Sequence, residues 1–244
     1  MDSMILDPTF DIGDLQPYDY AMGGVVAGAF ERLSREYGTA AWRRFLKRPV
    51  KDKIFLCRND DVQEVLAKIA QNRGEPAEEA PPDLPCIVYY RDRGLVADQN
   101  QFSRVHGVPR LEPEAEPEEG MYRGVHLTTV PVTLTYSIVF LAWDRATLER
   151  MEVAWWTYAV PLGRRTSFKA KIMLDGEVLE VPAHLTSPRE INSGDERLED
   201  GRRIWGARTM AEFVTQALRG GHFDTPEAVR IEGGADRIVI PRVL

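Results

Sequence analysis

Cysteine is scarce: the 244 residues hold two, Cys57 and Cys86. Two thiols cannot supply a disulfide framework or the four-ligand set of a structural zinc site. Both fall in segments that read as strands, where a buried thiol behaves as a small hydrophobe. Histidine is sparse too, with His106, His126, His184 and His222 far apart. His106 and His126 flank an acidic segment and could meet, but surface positions are the default for all four. There is no apolar run of about 18 residues, so no membrane-spanning helix is expected. The opening MDSMILDPTFDIGDLQ lacks the basic start and apolar core of a secretory signal, so a cytoplasm is the expected place of synthesis and residence. Basic charge is in deficit: 31 Lys and Arg stand against 38 Asp and Glu, a net −7. Tight phosphate binding asks for the opposite balance, whereas an acidic surface suits one that DNA passes without sticking. Glycine-rich phosphate loops, HExxH, GxSxG and CxxC are all missing, and no fixed-period repeat is present. The sequence therefore assigns no catalytic, metal or cofactor residue.

What is present centres on residues 130–161, VPVTLTYSIVFLAWDRATLERMEVAWWTYAVP. Val132, Leu134, Tyr136, Ile138 and Phe140 alternate with Thr133, Thr135 and Ser137, the period of a half-buried strand. At Asp144 the period changes. Its carboxylate can cap a first helical turn, and Leu148, Met151, Trp155 and Ala159 then recur at helical spacing. Pro161 is expected to stop that helix. Tyr136, Ile138, Phe140, Leu148, Met151 and Trp155 form the expected core scaffold.

In chain order, residues 1–19 read as an irregular acidic arm. Tyr20 to Tyr37 has helical spacing, weakened by Gly23, Gly24 and Gly28, whose small size also permits close packing. Residues 42–48, WRRFLKR, are basic with interleaved aromatics. A solvated helical face with apolar anchors is favoured there over a nucleic-acid contact. Lys53–Cys57 reads as a strand, Val62, Val65, Leu66 and Ile69 as a helical face capped by Asn59 or Asp60, and Cys86–Arg91 as a second strand after a Pro- and Glu-rich loop at 73–85. That order suggests a crossover unit. Residues 92–128 look irregular, with five glutamates in 110–120. Phe168–Leu174 and Val178–Leu185 flank the hairpin signal Asp175-Gly176, and Pro182 predicts an edge or bulged strand. Residues 187–201 read as a polar loop. Arg202–Leu218 is a last long strand, with Trp205, Ala207, Thr209, Ala211 and Phe213 on one face. The apolar run 237–244 could add to a sheet edge.

The order of these elements resembles the tail terminator (tail completion) proteins of contractile-tailed, T-even-like phages. The likeness is carried by PVTLTYSIVF (131–140), Asp144 and LERMEVAWWTYAV (148–160). KIFLCRNDDVQEVLAKI with LPCIVYY extends it upstream, and AHLTSPREINSGDERLEDGRRIWGARTMAEF extends it downstream. It covers residues 50–218, between an N-terminal arm and helix (1–49) and a C-terminal extension (219–244).

The resemblance implies an α/β (α+β) fold, a mixed sheet with two to three helices packed on it. It implies a hexameric ring in the virion, assembled in the host cytoplasm. That ring caps the tail tube, holds the last sheath ring and docks the neck connector, and DNA crosses its channel without sequence-specific contact. No cofactor and no membrane are implied. Trp156, Tyr158, Arg164, Arg165, Arg202 and Arg203 are the candidate subunit or partner interface. Two other readings compete. One is a cap or neck ring of a related machine, such as a tailocin or injection system. The other is a monomeric ligand-binding domain using Trp155, Trp156 and the charge cluster at 195–203.

Overall fold

A computed structural model describes residues 11–57, 84–92, 94–97, 110–111, 122–165, 167–174, 177–186, 190–197, 203–225, 228–230 and 239–241. The helix expected after Asn59 or Asp60, nearly all of the loop at 73–85 and the acidic residues 112–119 lie outside them.

Among the described residues there are three helices: α1 (Gln16–Glu31), α2 (Ala40–Lys47) and α3 (Arg145–Arg165). The strands are β1 (Asp11–Ile12), β2 (Ile54–Leu56), β3 (Cys86–Arg91), β4 (Val96–Ala97), β5 (Arg110–Leu111) and β6 (Tyr122–Ala142). They continue as β7 (Ser167–Leu174), β8 (Glu177–Leu185), β9 (Ile191–Arg197), β10 (Arg203–Thr225), β11 (Ala228–Arg230) and β12 (Val239–Pro241). The main sheet runs β2-β3-β6-β10-β8-β5, with β1 and β9 on β10, β4 on β6 and β7 on β8. Pairing is antiparallel except for the parallel β2–β3 pair, as the crossover reading required. The fold is α+β, a curled mixed sheet with three helices.

The central unit forms as its period dictates. Asp144 Oδ1 accepts from Thr147 N at 2.7 Å and caps α3. Leu148, Met151, Trp155 and Ala159 then face Leu134, Tyr136, Ile138 and Phe140 within one buried apolar cluster. Full burial of each large side chain stabilises by roughly 1.5–3 kcal/mol. Tyr18, Met22, Val26 and Phe30 of α1 and Trp42, Phe45 and Leu46 of α2 join the same cluster, so the apolar core extends across residue 49. Arg43, Arg44 and Lys47 are exposed, while Trp42, Phe45 and Leu46 between them are buried. Cys86 is buried and Cys57, just past β2, is part-buried, both as thiols. Cys86 packs with Leu84, Val88, Leu141 and Ile204 in a second, smaller apolar cluster.

Several elements depart from the pattern. β6 is not half-buried: Thr133 and Ser137, on its polar side, are buried as well. α1 begins at Gln16 and ends at Glu31 rather than spanning Tyr20–Tyr37, because Pro17 sits comfortably in a first turn. Residues 122–128, read as irregular, are strand, because all 21 residues of β6 pair with β10. α3 passes through Pro161 to Arg165, since a proline in the final turns removes one backbone bond without unfolding the last turn. β8 is no edge strand. It pairs β7 on one side and both β10 and β5 on the other, and Pro182 falls between the β10 contact at His184–Leu185 and the β5 contact at Leu179–Glu180. Ile191–Arg197, read as loop, pairs β10 from Arg203 to Thr209. β10 itself runs seven residues past Leu218 to Thr225. The terminal apolar run pairs Ala228–Arg230 in a separate two-stranded sheet and not the main edge.

Candidate functional site

Trp155 is wholly buried, against Phe140 at 6.4 Å between ring centroids. Trp156, about 100° further round the helix, is 37% exposed and free to meet a partner. Tyr158 is half-buried and lies over Gly28 of α1, where an added Cβ would come within 2.5 Å of the Tyr158 hydroxyl. Burial raises the Tyr158 pKa, and the nearby Glu31 adds to it. Arg164 and Arg165 lie in the last turn of α3, while Arg202 lies outside the described residues.

Arg203 does not join Trp156. It sits at the β9–β10 edge, paired with Asp195 at 2.7 Å and stacked over Trp205 at 4.3 Å. Arg145, from the first turn of α3, approaches the same indole at 5.9 Å and pairs Glu149. Trp205 is thus flanked by two arginines whose charges carboxylates already engage. Those exposed pairs contribute little to stability, and residues 198–202 of the charge cluster lie outside the described residues.

A second constellation was not legible from the sequence. Asp19 of α1 is buried, accepts from Tyr136 Oη at 2.7 Å and meets Arg91 Nε at 3.4 Å. Burial pushes the Asp19 carboxyl above its usual range, although the Tyr136 hydrogen bond and Arg91 pull the other way. Burial also raises Tyr136, and Asp19 raises it further. Tyr89, close by, is pushed up to about 12 by burial first and Asp19 second. The Tyr89 hydroxyl packs over Gly23, where an added Cβ would clash with it. Tyr18 Oη donates to the Gln216 carbonyl at 2.6 Å. These contacts fasten α1 to β3, β6 and β10. One signal could have found Asp19: it lies on the stripe of Met22, Val26 and Phe30 at helical spacing, and a carboxylate there needs a buried donor.

A third feature is a groove of about 510 Å³ between the α1–α2 connection and α3, lined among others by Leu33, Tyr37, Trp42, Arg150, Val153 and Ala154. A hydroxyl chain ties Trp42, one of the lining residues, to the start of α3. Trp42 N donates to Thr39 Oγ1 at 3.1 Å, and Thr39 Oγ1 lies 2.6 Å from Thr147 Oγ1. Thr147 gives its proton to Asp144 Oδ2 at 2.8 Å, so Thr39 is the donor between the two threonines.

Among the described residues no cluster of His, Cys, Asp and Glu is arranged to hold a metal ion, and no helix is long and apolar enough to cross a membrane. The chain matches no family profile and no curated protein sequence.

Proposed function

We propose that the chain is a ring-forming structural component of a contractile tail. In this reading it is the terminator that caps the tail tube, holds the last sheath ring and presents a face to the neck connector. DNA crosses its centre without sequence-specific contact, and the ring is hexameric.

The observation that carries this reading is the β6–β10 ribbon. Every residue of β6 pairs with β10, from Ala142↔Trp205 to Tyr122↔Thr225. β4 joins at Val132–Thr133, and β1 joins at Arg219–Gly220. Beyond Leu127↔Gly220 no further strand joins the ribbon among the described residues. A two-stranded ribbon is marginal alone, and its edges offer rows of backbone donors and acceptors. Such an arm gains most by lodging on a neighbouring subunit, and cyclic symmetry repeats that contact around a closed ring. The acidic balance of the chain further suits a channel that DNA leaves freely. The resemblance in element order supplies the particular machine.

The test is electron microscopy of the protein incubated with purified tail tubes. The reading expects sixfold rings seated at one end of each tube. Binding along the tube length, or none, contradicts it. A capsid and portal encoded beside the chain would separate a virion terminator from the cap of a tailocin.

A further inference from the structure

The groove beside α3 has walls, a rim and a charge that point to one kind of ligand. Its walls are mainly apolar and aromatic, with Leu33, Tyr37, Trp42, Val153 and Ala154 beside the hydroxyls of Ser34 and Thr157. Tyr37 is 72% exposed and Val153 61%, so these two carry the apolar surface that faces solvent, with buried Trp42 and Ala154 behind them. Gly38 sets the geometry. Its φ of 103° is a backbone state that side chains rarely adopt, and a Cβ there would meet Trp42 at 2.5 Å and the Arg150 guanidinium at 3.4 Å. Glycine thus lets an indole and an arginine converge on one end of the groove.

One wall comes from a basic stretch of an acidic protein: Arg150 lines the groove, and Arg35 and Arg43 adjoin the lining residues Ser34 and Trp42. From Arg32 to Lys53 there are eight basic residues against Glu36 and Asp52, six positive charges net, while the whole chain carries −7. Arg35, Arg43 and Arg150 are exposed. Lys53 shows how crowded these cations are: burial lowers its pKa first, and Arg48 and Arg35 lower it further. Glu149 also lines the groove, but Arg145 engages its carboxylate at 2.8 Å.

The same chain contains the complement. Residues 112–119, EPEAEPEE, hold five glutamates, two prolines and no basic residue. Prolines favour an extended left-handed helix that docks on aromatic side chains with little ordering entropy. Glutamates between them can reach arginines on a rim.

We infer that this groove receives the acidic, proline-containing segment 112–119 of a second copy of the chain, with Tyr37 and Val153 against the prolines and Arg35, Arg43 and Arg150 against the glutamates. Nucleic acid fits less well, because the walls are aliphatic as well as aromatic and the rest of the chain repels phosphate. The inference stands apart from the ring reading, since a ring can close through other surfaces.

The experiment uses the full chain with Glu112, Glu114, Glu116, Glu118 and Glu119 each replaced by Gln, and a labelled peptide of residues 110–120. Fluorescence anisotropy at low salt should show saturable binding. Tyr37→Ala, or Arg35→Glu with Arg150→Glu, should weaken it by about tenfold, and added salt should weaken it further. All three side chains are exposed, so circular dichroism should show the variants folded. In parallel, sedimentation of the wild-type chain should show self-association that the five Gln substitutions reduce. No saturable binding, binding indifferent to the variants, or self-association indifferent to the Gln substitutions overturns the inference. Binding of a duplex DNA oligonucleotide at these arginines without binding of the peptide also overturns it and assigns the surface to nucleic acid. The peptide result decides the matter whether or not rings form.

Discussion

Asp19 carries the clearest consequence at the scale of single residues. Its carboxyl is buried beneath α1, and burial outweighs the Tyr136 hydroxyl and Arg91 in setting its pKa. The folded-state pKa therefore lies above the unfolded value of about 3.9. Stability from this group is full below that unfolded value and is lost as pH rises through the raised folded one. Asp19→Asn removes the titration while keeping an acceptor for Tyr136. Urea unfolding at stepped pH should show the variant gaining on the wild type as pH rises across that window. A gap that moves towards the wild type instead would mean that Arg91 and Tyr136 outweigh burial.

Trp155 gives a second test at this scale. It is fully buried, and its indole N–H finds no acceptor among the described residues. Trp155→Ala should cost about 3–5 kcal/mol in denaturant unfolding. Trp155→Phe keeps a smaller aromatic ring and removes the unpaired donor, and should cost less than the Ala substitution. Equal losses would show that the N–H matters more than the packing. The core role of Trp155 was legible from spacing alone. Asp19 was not, because Tyr136 lies 117 residues away in sequence and only the pairing of β3 with β6 brings Arg91 beside it.

Elements were legible where one face is dry. The β6–α3 unit, its Asp144 cap and the β7–β8 hairpin all follow from period and turn chemistry, and the hairpin register closes at Leu174↔Glu177. β9 escaped notice because INSGDER (191–197) has no alternation; backbone pairing along β10 makes it a strand. The far end of β6 escaped for the same reason, since its partner rather than its own pattern holds it extended. The glycines of α1 show how the helix is tuned to its neighbours. Gly23 lies under Tyr89, whereas a Cβ on Gly24 would meet nothing within 4 Å. Gly24→Ala should therefore stabilise by up to about 1 kcal/mol, through helix propensity and a less flexible unfolded chain. Gly23→Ala, one residue away, should destabilise by about 1–3 kcal/mol through overpacking. Thermal unfolding of the pair separates contact from propensity; equal shifts of the same sign would refute close packing of α1 on β3.

On the scale of the whole molecule, the apolar interior is shared by all three helices and the sheet. The features left over for function lie at the margins: the β6–β10 arm, the groove beside α3 and the arginine-flanked Trp205. Sequence order could not show where the β6–β10 ribbon loses its other described partners, because that depends on where pairing stops. The proposed ring is tested most directly by mass photometry of the purified chain, alone and with tail tubes. The account predicts a species at six times the 27.6 kDa chain mass. A single species at 27.6 kDa that persists at the highest concentrations and in the presence of tubes would contradict it.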